Sequence, residues 1–147
     1  MATPPGKEKP SLCLVRHYKA TPEKIWQAWT DPEALKQWFR PDASMTTPET
    51  EVDVRIGGQF YIKMKSGEGE EHHVSGIYKE VIPNRKLVFT WTWKSTPERE
   101  SLVTIELEPT DDGTELTLRH EQFTDEETRD LHEDGWTGAL GQLESYL

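Results

Sequence analysis

The stretch TPEKIWQAWTDPEALKQWF, residues 21–39, decides how the rest of the chain is read. It carries two helix-start signals in tandem. Thr21 is a capping residue and Pro22 fits a first helical position; Asp31 and Pro32 repeat the device ten residues later. Three tryptophans, Trp26, Trp29 and Trp38, fall within these 19 residues. A helix pair this aromatic has to bury one face, so it is expected to form a lid over a core or a pocket.

On either side of this pair the apolar residues recur with period two. Before it, Ser11 to Tyr18 places Leu12, Leu14 and Tyr18 on one alternation and Cys13, Val15 and His17 on the other, a first strand. Residues 40–50 read as a loop. From Val52 the strand period resumes, broken by a turn or bulge at Gly57-Gly58. Phe60, Ile62 and Met64 alternate with Tyr61, Lys63 and Lys65; residues 66–71 read as a hairpin loop, and a further strand runs from about His72 to Val81. After a turn at Pro83-Asn84, Leu87, Phe89, Trp91 and Trp93 form the clearest strand. Val103, Ile105 and Leu107, the hairpin signature Thr110-Asp111-Asp112-Gly113, and then Leu116, Leu118 and His120 follow. Short turns between neighbouring strands imply an antiparallel meander with one wet and one buried face. The last segment opens with a capping box, Thr124 to Glu127, and continues as one helix to Leu147. Stepping about 100° per residue puts His132, Trp136, Ala139, Leu140, Leu143, Tyr146 and Leu147 on one face. Gly135 and Gly138 sit beside that stripe and suggest close backbone approach or room left for something.

Composition narrows the partners. A chain of 147 residues fits one domain, here residues 11–147 after a flexible arm at 1–10. The net charge of -10 argues against a nucleic-acid partner and against adhesion to anionic membranes. Cys13 is the one cysteine, so no internal disulfide or cysteine-based metal cluster is expected; its apolar strand context suggests a buried, inert thiol. The first ten residues have no apolar core and do not read as a secretory signal, and no apolar run reaches a membrane span. A cytoplasmic protein with no membrane insertion is the expectation.

Five pieces of the chain together match a known pattern: residues 21–39; VDVRIGGQF at 52–60; SGIYKEVIPNRKLVFTW at 75–91; TELTLRHEQF at 114–123; and HEDGWTGALGQLESYL at 132–147. In this order they resemble the START-like (SRPBCC) superfamily, in its branch similar to the C-terminal domain of the heat-shock-protein-90 ATPase activator. The resemblance implies an α+β helix-grip fold. In it a curved antiparallel sheet wraps the long C-terminal helix, two short helices follow the first strand, and an apolar cavity lies between sheet and helix. Members of the superfamily bind lipids, steroids, polyketides or plant hormones, and some are cyclases or hydratases. Fold therefore constrains function only weakly.

The candidate ligand-binding residues are Trp38, Phe60, Tyr78, Phe89, Trp91, His120, His132, Trp136 and Leu140. Phe89, Trp91 and Trp136 are the leading wall candidates, because strand and helix periodicity aim them at the same space. His120 alternates with Leu116 and Leu118 and should point inward, and His132 lies one turn before Trp136. Two such histidines suit acid–base chemistry, or else are hydrogen-bonded polar groups at the rim. The direction of Tyr78 is left open. Arg55 alternates outward from Val54 and Ile56 and reads as a surface group. His72 and His73 beside Glu70 and Glu71 look metal-like, but adjacent strand residues diverge, so no metal or other cofactor is expected. The first reading is a binding protein for a small hydrophobic or aromatic molecule. The alternatives are a cyclase-, aromatase- or hydratase-like enzyme using the histidines, or a chaperone-interaction module. The namesake carries a further N-terminal domain where this chain has a ten-residue arm, so the resemblance is not expected to extend to chaperone activation. The family often forms homodimers, which makes a homodimer a further expectation.

Overall fold

The computed structural model describes residues 9–147, so most of the expected arm lies outside the described residues. Its last residue, Pro10, already accepts a hydrogen bond from the Phe123 N–H at 3.2 Å. Strand β1 (Leu12–Tyr18) leads into helices α1 (Pro22–Thr30) and α2 (Pro32–Trp38). Six strands follow: β2 (Thr46–Val52), β3 (Gln59–Lys65), β4 (Glu71–Ile82), β5 (Lys86–Trp93), β6 (Ser101–Thr110) and β7 (Gly113–Glu121). Helix α3 (Glu126–Tyr146) ends the chain. The strands form one antiparallel, seven-stranded curled sheet in the order β1-β7-β6-β5-β4-β3-β2. The helix pair spans from one edge strand to the other, and α3 lies in the curve. This is the helix-grip arrangement.

The local start signals act as expected. The Thr21 hydroxyl accepts from the Lys24 N–H, and the Asp31 carboxylate accepts from the Glu33 N–H at 2.9 Å, with a proline opening each helix. At α3 the cap is one residue later than expected. Asp125, not Thr124, accepts from the Thr128 N–H at 2.7 Å, so the Thr124–Glu127 box is not the device used. A carboxylate opposite the positive helix end is the stronger acceptor.

Strand β2 replaces part of the expected loop at 40–50. Its inward positions are Thr47 and Thr50 rather than apolar residues, which is why no period-two signal marks it. Each hydroxyl donates to a carbonyl of the helix pair, Thr47 to Phe39 and Thr50 to Pro32, both at 2.6 Å. Pro48 is tolerated because β2 is an edge strand with an irregular register there. The turn after β2 uses Gly57 at φ 86°, and the β4–β5 turn uses Asn84 at φ 66°.

Two further expectations change. Cys13 is exposed: β1 is an edge strand, and its Cys13–Val15–His17 side faces solvent while Leu12 and Tyr18 face the core. Tyr146 and Leu147, assigned to the buried face of α3, are about two-fifths exposed, at 44% and 40%; the buried stripe ends at Leu143, and the last turn of the helix meets solvent. Nearer the middle, Tyr18 ties β1 to α3 by donating its phenolic hydrogen to the Leu140 carbonyl at 2.9 Å.

The glycines of α3 divide into two roles. A Cβ at Gly138 would lie 1.7 Å from the Pro41 carbonyl oxygen, so here the helix and the loop after α2 touch backbone to backbone. At Gly135 the nearest atom to a Cβ is the Pro41 Cβ at 3.9 Å, an ordinary contact that leaves space. Gly138→Ala should therefore destabilise the fold by about 1–3 kcal/mol, as overpacking does. Gly135→Ala should be neutral or stabilise by up to about 1 kcal/mol through helix propensity. Urea denaturation of the two variants checks the contrast.

Candidate functional site

Among the spaces bordered by the sheet, an inner one lies under the helix pair and an outer one lies against α3. The inner one is about 20 Å³, room for a single water-sized body, and is walled by Trp29, Leu35, Phe39, Phe60, Tyr78, Phe89 and Trp91 among others. The outer one is a groove of about 410 Å³ open to solvent. The loop after α2 supplies Arg40, Pro41 and Met45 to the groove, the sheet supplies Met64, His72, Trp91 and Trp93, and α3 supplies Leu131, His132, Gly135, Trp136 and Ala139. Phe39 and Trp91, with ring centroids 6.2 Å apart, belong to both walls and separate the two spaces.

The sequence candidates fall into three places. Trp91, His132 and Trp136 line the outer groove. Phe60, Tyr78 and Phe89 line the small inner space together with Trp91. Tyr78 points inward, its ring 5.7 Å from that of Phe60, and burial raises its phenol pKa. Trp38, His120 and Leu140 line neither space and are fully buried in the core. Trp38 donates its indole N–H to the Ala28 carbonyl at 2.9 Å, which locks α2 to α1. The sequence candidates omitted Phe39, Arg40, Pro41, Met45, Met64, His72, Trp93, Leu131, Gly135 and Ala139 as groove residues. Phe39 and Met64 carried a signal, as the end of the aromatic stretch and as a member of the β3 alternation. Arg40, Pro41 and Met45 lie where no period exists.

Outside the groove, Arg55 is exposed and pairs with Asp53 at 2.8 Å, and His73 Nδ1 lies 2.6 Å from the Tyr61 hydroxyl. His72, on the groove wall, has its Nε2 3.8 Å from Glu70.

Both inward histidines have their ring nitrogens engaged. The Trp136 indole N–H donates to His120 Nδ1 at 3.0 Å. That makes Nδ1 the acceptor, so His120 carries its proton on Nε2 and donates to the Ser101 hydroxyl at 2.7 Å. Ser101 in turn donates to the Trp91 carbonyl at 3.3 Å. His132 is the opposite tautomer. Its Nδ1–H donates to the Thr128 carbonyl at 2.8 Å, and its Nε2 accepts from the Trp93 indole at 2.9 Å. Burial, and then the neighbouring His132, push the His120 pKa down to about 2. Burial also lowers that of His132, against the opposing pull of the Thr128 carbonyl. In this arrangement neither ring has a nitrogen free to exchange a proton with a substrate. Both act as acceptors that hold tryptophans in place.

This arrangement makes the fold acid-sensitive in a defined window. A folded-state pKa below the unfolded value of about 6.5 means that the unfolded chain takes up protons the fold refuses. Stability is then complete above about pH 6.5 and falls as pH drops, by up to about 1.4 kcal/mol per pH unit for each histidine. Relaxing self-repulsion of the acidic chain works in the other direction over the same range, so the comparison is between variants. His120→Gln should be less stable than wild type at pH 7.5 and should show a shallower loss between pH 6.5 and 5. Urea midpoints measured across that range test it.

Comparison with known proteins places this geometry. The chain matches the family model for Activator of Hsp90 ATPase homolog 1-like proteins over residues 19–147. It is similar to the crystal structure of protein NE0264 from Nitrosomonas europaea, at 32% identity and TM-score 0.79, with 93% of each chain covered. It is also similar to the AHSA1 protein SPO3351 from Silicibacter pomeroyi, at 30% identity and TM-score 0.81, covering 92% of this chain and 96% of that one. CalU16 from Micromonospora echinospora matches at 30% identity and TM-score 0.74, with 99% of this chain and 80% of that chain covered. No functionally curated protein matches. With the family pattern running from the end of β1 through α3, the chain belongs to the Activator of Hsp90 ATPase homolog 1-like family.

Proposed function

We propose that the protein binds a small apolar molecule in the outer groove. The observation that carries this reading is the groove of about 410 Å³, walled by Met45, Met64, Trp91, Trp93, Trp136 and Leu131. This size falls within the range of roughly 300–1,000 Å³ typical of small-molecule sites. The two methionines give the wall adaptable, polarizable surface. The space between sheet and helix is of the kind that START-like proteins use for ligands, but here the aromatic rings fill its inner end. The ligand therefore sits at the mouth, against α3 and the 40–45 loop, rather than beneath the sheet. Engagement of both histidines supports a binder over a cyclase- or hydratase-like enzyme. Cytoplasmic residence and homodimer formation accompany this proposal; the groove needs neither. The described residues contain no helix long and apolar enough to cross a membrane.

The test is the uncharged, environment-sensitive dye N-phenyl-1-naphthylamine, whose emission rises in an apolar site. Gly135→Leu places a side chain where a Cβ meets only the Pro41 Cβ at 3.9 Å, inside the groove wall. It should weaken dye binding about tenfold, the loss of roughly 1.4 kcal/mol of contact. Gly141→Ala, on the same helix and with open space around it, should bind as wild type does. Dye binding that ignores Gly135→Leu would place the ligand elsewhere.

A further inference from the structure

We propose that the ligand of the outer groove is a small apolar carboxylate and that Arg40 reads its anionic end. The proposal rests on the ligand-binding reading above and adds a charge to it. The chain carries 27 acidic residues, yet among the described residues the groove wall contains no Asp or Glu, and Arg40 is its one Lys or Arg. The Arg40 side chain is half-buried. Its Nε is shut off from solvent and has no hydrogen-bond partner among the described residues. Nor does its guanidinium form an ion pair there. The acid nearest in sequence, Asp42, is engaged within its own loop: its carboxylate accepts from the Ser44 N–H at 2.9 Å and from the Ser44 hydroxyl.

A second unpaired donor belongs to the same wall. The Trp91 indole N–H is buried without a partner. The indoles of Trp38, Trp93 and Trp136 all donate, at 2.9, 2.9 and 3.0 Å. The remaining buried orphan is Trp29 Nε1, in the wall of the inner space. Among the described residues, both orphans of the groove wall, Arg40 Nε and Trp91 Nε1, are donors and none is an acceptor, so the wall is matched by a ligand that brings oxygen lone pairs. A carboxylate brings only acceptors, carries the charge complementary to Arg40, and suits the planar two-pronged geometry of a guanidinium. An alcohol or amine adds donors that neither Arg40 nor the Trp91 indole can accept, and His132 already has both ring nitrogens engaged, with Thr128 and Trp93.

The test compares two probes of similar shape, 2-naphthoate and the uncharged ketone 2-acetylnaphthalene, by ligand-observed NMR titration at pH 7.5. Wild type should bind the carboxylate about tenfold more tightly than the ketone, as a charge-assisted hydrogen bond in a partly dry site implies. Arg40→Met should bring the two within about twofold by weakening the carboxylate much more than the ketone, and Arg40→Lys should recover part of the preference. Added salt should weaken naphthoate binding and leave the ketone unchanged, a readout that needs no variant to fold. Equal binding of the two probes to wild type, or a preference that survives Arg40→Met, overturns the role of Arg40 and leaves the groove reading standing. Failure of both probes to bind at millimolar concentration overturns the groove reading and this inference with it.

Discussion

Trp136 is the contact on which the rest of the structure depends. From the middle of α3 its ring meets Trp29 of α1 at 6.0 Å, Phe39 after α2 at 5.7 Å and Trp91 of β5 at 5.1 Å. Its indole N–H reaches His120 of β7. One side chain thus joins the helix pair, the long helix and two strands that are not neighbours in the sheet. The polar end matters as much as the ring. A buried indole N–H without a partner is costly, and His120 removes that cost only in its neutral form with the proton on Nε2.

The same cluster explains why the cavity is divided. A curved sheet around a helix leaves space that must be filled or occupied. Phe60, Tyr78, Phe89 and Trp91 fill most of the inner end and leave about 20 Å³. Toward the mouth the filling stops. The 40–45 loop is held against α3 at Gly138, one turn from Gly135, where the wall has no side chain. Close approach and open space are thus set by two glycines of the same helix, and the groove is the consequence.

Two kinds of residue account for what the sequence concealed. The Thr47 and Thr50 positions of β2 are buried through hydrogen bonds to helix carbonyls, so no hydrophobic alternation announces the strand. Arg40, Pro41 and Met45 lie on a connection without a period, and their place on the groove follows from how α3 packs across them. Conversely, Trp38 and Leu140 are apolar and correctly inward, but inward is not the same as cavity-lining. Periodicity specifies a face of an element and not which part of that face is covered by a neighbour.

The sequence by itself determined the helix pair, whose caps and prolines act locally. It determined most strands, whose alternation reflects a sheet with one wet face. It also determined the inward direction of His120, Trp91 and Trp136. Those outcomes depend on residues close together in the chain or on simple two-sidedness. Only the tertiary structure decided that Cys13 faces solvent, that both histidines have their nitrogens engaged by other residues, and that the open space lies at the mouth beside Arg40. Each of these is fixed by which distant segment comes to rest against the residue, and no local pattern of side chains encodes that choice.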